Sequence, residues 1–151
     1  MTLVVYSSSM PAPAVDLFEI HMDAANLAAI SPPFPPFRLL TAPKRAKAGD
    51  LQVMRLGFGR LSVEWHARVS RIVPGRLLED VQERGPFRKW RHQHRCIAEG
   101  SGSRLTDAVS FRLLPTVVGE FVEYWTVRPL LVGMFAYRHR RTRALLPHSK
   151  S

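Results

Sequence analysis

The feature that most constrains this chain is a change of hydrophobic period. From Phe37 to Leu114 the apolar residues recur at every second position, in successive short runs. From Val117 to Leu146 they recur with helical spacing. The period-2 runs Phe37–Thr41, Leu51–Gly59, Leu61–Ile72, Leu77–Arg84, Arg88–Glu99 and Arg104–Leu114 read as strands. Pro74-Gly75, Gly85-Pro86-Phe87 and Gly100-Ser101-Gly102 are short breaks between them, and short breaks imply antiparallel neighbours. Gly57 and Gly59 suit a bend that lets the sheet curve. In Leu61–Ile72, residues Leu61, Val63, Trp65, Ala67 and Val69 share one face.

Upstream, Leu3–Ser9 reads as a first strand. Pro13 suits a helical first turn, and Val15, Phe18 and Met22 follow at helical spacing. Asp23 can cap a second short helix carrying Leu27 and Ile30, and the run Ser31 to Phe37, with four prolines, stops it. The PxxP spacing in that run reads as a rigid turn rather than an SH3 ligand. In the tail, Val118, Phe121, Val122, Trp125, Leu130, Met134 and Phe135 can supply an apolar side, with Pro129 kinking or restarting the helix. The expected architecture is a single α+β domain, residues 1–151, of the helix-grip kind. A curved antiparallel sheet of about seven strands closes on a long C-terminal helix, with two short helices after the first strand.

Composition excludes several classes. One thiol, Cys96, cannot form an internal disulfide, which favours a reducing, cytoplasmic setting. No stretch reaches about 18 apolar residues, so no transmembrane segment is expected, and no basic region precedes the first apolar run as a signal peptide requires. The net charge of +10 comes from 18 arginines and four lysines against 12 acids. Only Arg138, Arg140, Arg141 and Arg143 cluster, and cations at a helix C-terminus already complement its dipole. No recognised binding motif accompanies the charge, so nucleic acid is not the expected partner. Nucleophile elbow, phosphate-binding glycine loop and paired-cysteine zinc spacing are all missing from the sequence.

The most informative stretch is Gly85 to Cys96. Trp90, His92, His94 and Cys96 alternate onto one face, expected inward; Arg91, Gln93 and Arg95 take the other. A hairpin centred on Gly100-Ser101 places His94 opposite Asp107 and His92 opposite Val109. A three-residue loop at Gly85-Pro86-Phe87 places Asp80 opposite His92 and Gln82 opposite Trp90, whereas a two-residue loop turns Asp80 outward. The expected result is an inward polar cluster of Asp80, Gln82, His92, His94 and Asp107 among Trp65, Trp90, Phe111, Trp125 and Phe135. Four readings stay open: a structural hydrogen-bond network, groups that orient a ligand in an apolar cavity, a His94 general base steadied by Asp107, and a two-histidine-one-carboxylate metal site. The cluster supplies its own hydrogen-bond partners and no further ligand spacing is evident, so neither metal nor cofactor is expected. Asp107 is expected to raise the His94 pKa. Cys96 reads as an inert core thiol.

Pro13, Val15 and Phe18, then Trp65, then Asp80, Gln82, Gly85-Pro86-Phe87, Trp90, His92 and His94, then Thr106-Asp107 and Phe135-Ala136-Tyr137-Arg138-His139, resemble the SRPBCC (START-like, birch-pollen-allergen-like) superfamily, in its bacterial polyketide cyclase/dehydrase-like, ligand-binding branch. The resemblance spans nearly the whole chain. It implies a seven-stranded sheet around the C-terminal helix with a deep cavity between them. It also implies binding of a lipid, sterol, polyketide or other small apolar or aromatic ligand, with cyclase/dehydrase chemistry through a His-Asp pair as the alternative. An accessory role beside an epimerase-like reductase is a third implication, because similar domains occur fused to such enzymes. No catalytic residue carries over. The chain departs from the pattern at Cys96, where an aromatic residue is more usual, and at Leu78; both changes are expected to widen the cavity.

Overall fold

The computed structural model describes residues 1–147. The strand β1 (Thr2–Met10) is followed by helices α1 (Ala14–Met22) and α2 (Ala24–Ile30). The strands β2 (Phe37–Thr41), β3 (Leu51–Leu56), β4 (Val63–Val73), β5 (Leu77–Arg84), β6 (Lys89–Glu99) and β7 (Gly102–Arg112) come next. All seven strands form one antiparallel sheet in the order β1-β7-β6-β5-β4-β3-β2. A C-terminal helical run lies against it: α3 (Val117–Val122), a π turn (Glu123–Val127) and α4 (Arg128–Leu145). This is the α+β architecture the sequence implies.

Strand bounds shift where glycine intervenes. β3 stops at Leu56 because Gly57 and Gly59 adopt positive φ (100° and 44°) around a short 3-10 turn, Gly59–Leu61. Leu61, expected on the inner face, lies in that turn and is 86% exposed. The β6–β7 hairpin turns at Gly100-Ser101, with Glu99 opposite Gly102. Its register puts His94 opposite Asp107 and His92 opposite Val109, and β5 puts Asp80 opposite His92. The inner face therefore carries Asp80, His92, His94 and Asp107 together.

The tail differs from its expected orientation. Val118, Phe121, Trp125 and Leu130 are 64–73% exposed, while Leu131, Phe135, His139, Thr142 and Leu146 are buried. Helical period alone fits either stripe. Glu123 decides between them: it is fully buried, and its carboxylate accepts from the Leu113 amide (2.5 Å), the Leu114 amide (3.4 Å) and the Thr2 hydroxyl (2.6 Å). These amides follow β7 and have no ladder partner, so an inward acceptor at 123 satisfies them. Residues at steps of three or four from it turn inward too. Pro129 falls at the start of α4, where a missing N–H is tolerated after the wider π turn.

Two apolar cores result. One, under α1, joins Met10, Leu17, Phe18, Val69, Leu78, Cys96, Leu105 and Leu146. The other, under α4, joins Val4, Trp90, Val109, Phe111, Leu131 and Phe135. Leu78 and Cys96 do not widen a cavity. They are 5% and 1% exposed, and Leu17 and Phe18 fill the space beside them. Replacing Glu123 by alanine leaves three donors unpaired in the interior, so equilibrium urea unfolding should show a loss of about 2–3 kcal/mol. An unchanged midpoint would mean the buried carboxylate does not set the helix orientation.

Candidate functional site

Between the two cores lies a polar layer built on Asp107. Its carboxylate is 3% exposed and meets three imidazoles. His92 Nε2 donates to Oδ1 at 2.7 Å and His139 Nε2 donates to Oδ2 at 2.7 Å. His94 Nδ1 also lies 2.7 Å from Oδ1, but out of line for a straight hydrogen bond. The tautomer of His139 is fixed from both sides, since its Nδ1 accepts from the Ser8 hydroxyl at 2.6 Å. His21 on α1 donates Nδ1–H to the Leu17 carbonyl (3.0 Å), and its ring lies 4.9 Å from that of His94.

On the open side of this layer stands Asp80, with a side chain 19% exposed. One of its oxygens is 3.9 Å from His92 Nδ1 and 3.9 Å from His94 Nε2. His94 is 12% exposed, against 5% for His92 and 2% for His139. Solvent thus reaches the layer only at Asp80 and His94. Arg138, expected in a solvated basic cluster, instead turns toward this region. It donates to the Ser31 hydroxyl at 3.3 Å, and its Nε is buried without a partner.

Burial dominates the electrostatics. It lowers His21 to about 4, helped by the neighbouring His94. His92 is lowered by burial against the pull of Asp107. His94 is likewise lowered, first by burial and then by His92, which together outweigh Asp107. The expected rise at His94 is therefore reversed, because one carboxylate is shared among three rings. Asp80 is pushed up to about 6 by burial, with His94 and Arg138 opposing. Burial also works to raise Asp107, but charge on His94 and hydrogen bonds from His139, His92 and His94 hold it well below the carboxylate range. Cys96 is pushed up to about 12 by burial, the behaviour of an unreactive thiol.

The remaining expected residues separate into two groups. Trp65, Trp90 and Phe111 form an aromatic box with Phe87: Trp65–Trp90 centroids are 4.8 Å apart, Phe87–Trp90 4.8 Å and Phe87–Phe111 5.5 Å. Phe135 closes its floor, 5.3 Å from His92. Gln82 and Trp125 do not join the site. The Gln82 amide donates to the Phe87 carbonyl and accepts from its N–H, pinning the β5–β6 loop. Trp125 is 64% exposed on the outer stripe of the helix. Sequence reasoning missed His21, Arg138 and His139. The signal for His139 was its place four residues after Phe135 on one helical stripe.

The concave face is covered unevenly. α4 packs chiefly on β1 and α2, α1 packs on β5, β6 and β7, and α2 reaches the edge strand β2. Over the other wing, register places Phe37, Leu39, Met54 and Leu56 on the same face as Trp65. All five stay only half-buried. The Trp65 indole N–H is buried with no acceptor. Two further grooves lie elsewhere: about 540 Å³ beside Glu19, Met22, Asn26 and Arg45, and about 290 Å³ beside Phe37, Arg55 and Gly59. Neither is lined by any residue of the polar layer or the aromatic box.

Residues 10–135 match the model of the family described as polyketide cyclase / dehydrase and lipid transport. The chain belongs to that family. Protein CV1439 from Chromobacterium violaceum has the same fold, with TM-score 0.72 and 16% identity over 97% of this chain and 98% of that one. Ginseng major latex-like protein 151 from Panax ginseng matches with TM-score 0.69 and 11% identity, over 97% and 98% of the two chains. A nucleoside-diphosphate sugar epimerase from Corynebacterium glutamicum matches with TM-score 0.73 and 27% identity, over 93% of this chain but only 28% of that one. No curated protein matches significantly. Among the described residues, no helix is long and apolar enough to cross a membrane.

The pH dependence of stability follows from the shifts. His21, His92 and His94 have folded pKa values below the unfolded value of 6.5, so the unfolded chain binds more protons as pH falls below it. Their contribution is complete above about 6.5 and declines as pH falls below it, reaching down to about 4 for His21. Asp80 acts oppositely between its unfolded value of 3.8 and about 6, but it is one group against three. The melting temperature should therefore drop by on the order of 5 °C or more between pH 7.5 and 5. A flat profile would show that the imidazoles are not held neutral. Asp107→Asn should cost about 3 kcal/mol or more in chemical unfolding, since it removes the charge and turns an amide NH2 toward a buried imidazole donor in place of one of the two acceptor oxygens.

Proposed function

We propose that this protein binds a small apolar or aromatic molecule in the cleft between the concave sheet and the C-terminal helix. The observation that carries the reading is the thinly covered wing. Phe37, Leu39, Met54, Leu56 and Trp65 form an inward apolar surface that α2 meets at β2 yet leaves only half-buried. Burying about 300 Å² of ligand against such a surface contributes several kcal/mol before entropic costs. Family membership supports the same class of guest.

Polar placement refines the guest. The unpartnered Trp65 N–H calls for an acceptor, and Asp80 with His94 offers an acceptor edge to a donor. A hydroxyl on an aromatic or polyketide-like skeleton meets both requirements, donating to the carboxylate or accepting from the indole. Native mass spectrometry before and after organic extraction, with thermal-shift screening of lipids and aromatic polyketides, tests the proposal. Trp90→Ala should abolish the tightest hit. Trp65→Phe, which keeps a ring but removes the N–H, should weaken it about fivefold, the equivalent of one hydrogen bond. Arg141→Ala, at an exposed position, should leave it unchanged. No copurifying molecule and no hit across the library would remove this reading.

One observation favours a second layer to it. The 27% identity to about a quarter of an epimerase chain supports a role in which the bound molecule is exchanged with an epimerase-like reductase. Turnover of such a reductase on an apolar substrate should change when this protein is added. Turnover unaffected at saturating protein would argue for independent action.

A further inference from the structure

The interior holds an arrangement that hydrogen bonding leaves incomplete. A neutral imidazole has one N–H and one lone pair. His92 gives its N–H to Asp107 through Nε2, so its Nδ1 lone pair faces Asp80. His94 turns Nδ1 to Asp107 and Nε2 to Asp80. Two lone pairs and a carboxylate oxygen thus converge, with no donor among them. His92 is 5% exposed, and its Nδ1 makes no hydrogen bond among the described residues; Asp80 makes none either. Acceptors that face one another at the mouth of a low-dielectric interior repel, and only the partial solvent access at Asp80 and His94 relieves them.

A cation resolves this. Imidazole nitrogen and carboxylate oxygen bind first-row divalent metals at about 2.0–2.2 Å, so one ion spans donors up to about 4.2 Å apart. Both nitrogen-to-oxygen gaps here are 3.9 Å, and the three ligand atoms of Asp80, His92 and His94 lie within 4.8 Å of one another, so each side chain closes in by about 1 Å at most to reach tetrahedral spacing. A second shell is also in place, because Asp107 hydrogen-bonds the far nitrogen of His92 and lies 2.7 Å from that of His94. A carboxylate behind a ligating histidine orients the ring and strengthens its lone pair. Charge balance permits the ion. Asp80 and Asp107 face Arg138 across the layer, and the rings of His21 and His139 border it.

We propose that Asp80, His92 and His94 form a binding site for one divalent transition metal of the zinc or iron(II) class, with Asp107 as the carboxylate that orients both imidazoles. Three protein ligands leave coordination positions open toward the cleft, where Asp80 and His94 are the exposed members. The proposal departs from the expectation of a metal-free cluster, because Asp80 makes no hydrogen bond among the described residues. The site stands whether or not an organic guest enters the cleft.

The test uses the full, untagged chain, stripped with chelator and dialysed. Zn²⁺ is titrated calorimetrically, and Co²⁺ is followed by its visible ligand-field bands. The wild type should take up one equivalent and gain thermal stability with Zn²⁺ concentration. Asp80→Asn, which removes no hydrogen bond, should keep the fold and weaken Zn²⁺ by at least about tenfold, the loss typical even of an outer-shell partner. His94→Gln should do the same and quench the Co²⁺ bands. His66→Gln, on a solvent-side histidine paired with Glu64, should bind like the wild type. Absence of saturable one-equivalent binding, or equal affinity in wild type, Asp80→Asn and His94→Gln, would overturn the proposal. Because no organic molecule is present, a failure here is distinct from a failure of ligand binding.

Discussion

Three imidazoles around one buried carboxylate hold this molecule together at its centre. An isolated carboxylate in the interior costs several kcal/mol of lost hydration. Charge-assisted hydrogen bonds contribute roughly 1.5–3 kcal/mol each, so two straight bonds and a third close contact are of the size needed to offset that cost. The partners come from distant parts of the chain: β6 supplies His92 and His94, α4 supplies His139, and β1 fixes His139 through Ser8. Asp107 therefore ties the sheet to the helix at one point. Because the tie is directional, it fixes the rotation of α4 as well as its position, which apolar contact alone does not do.

Glu123 plays a related part near the other end of the helical run. It accepts from β1 and from the chain leaving β7, so two buried acids pin the run to the same pair of strands. Between these pins the helix contributes Leu131 and Phe135 to one core; beyond them it contributes Leu146 to the other. The sheet is thus gripped along β1, β7 and β6, and the polar layer sits where the two cores meet.

Much of this was legible from alternation. In β6 the period of two, together with the Gly100-Ser101 turn, was enough to bring His94 opposite Asp107 and Asp80 opposite His92, since a strand's register fixes every face at once. The helix was harder to read. Its apolar residues form two stripes, and nothing in their spacing says which faces inward. The choice rests on Glu123 and His139, each of which has one partner more than a hundred residues away in β1. His139 also sat within a run of arginines, where a solvated face was the simplest reading. The reversal at His94 has the same root: a pairwise view supplied one carboxylate to one ring, whereas the fold divides it among three.

The uneven cover of the sheet has a mechanical meaning. One half is a frame, clamped by α1, α4 and two buried acids; the other is a lightly braced wing that ends in the five-residue β2, which α2 touches, with a bulge between Leu39 and Thr41. A twisted sheet hinged on its rigid half bends most easily at the loose end. Flexing of that wing would widen or narrow the mouth above Trp65 without disturbing the Asp107 knot. The molecule is built like a clasp with one fixed jaw and one compliant jaw.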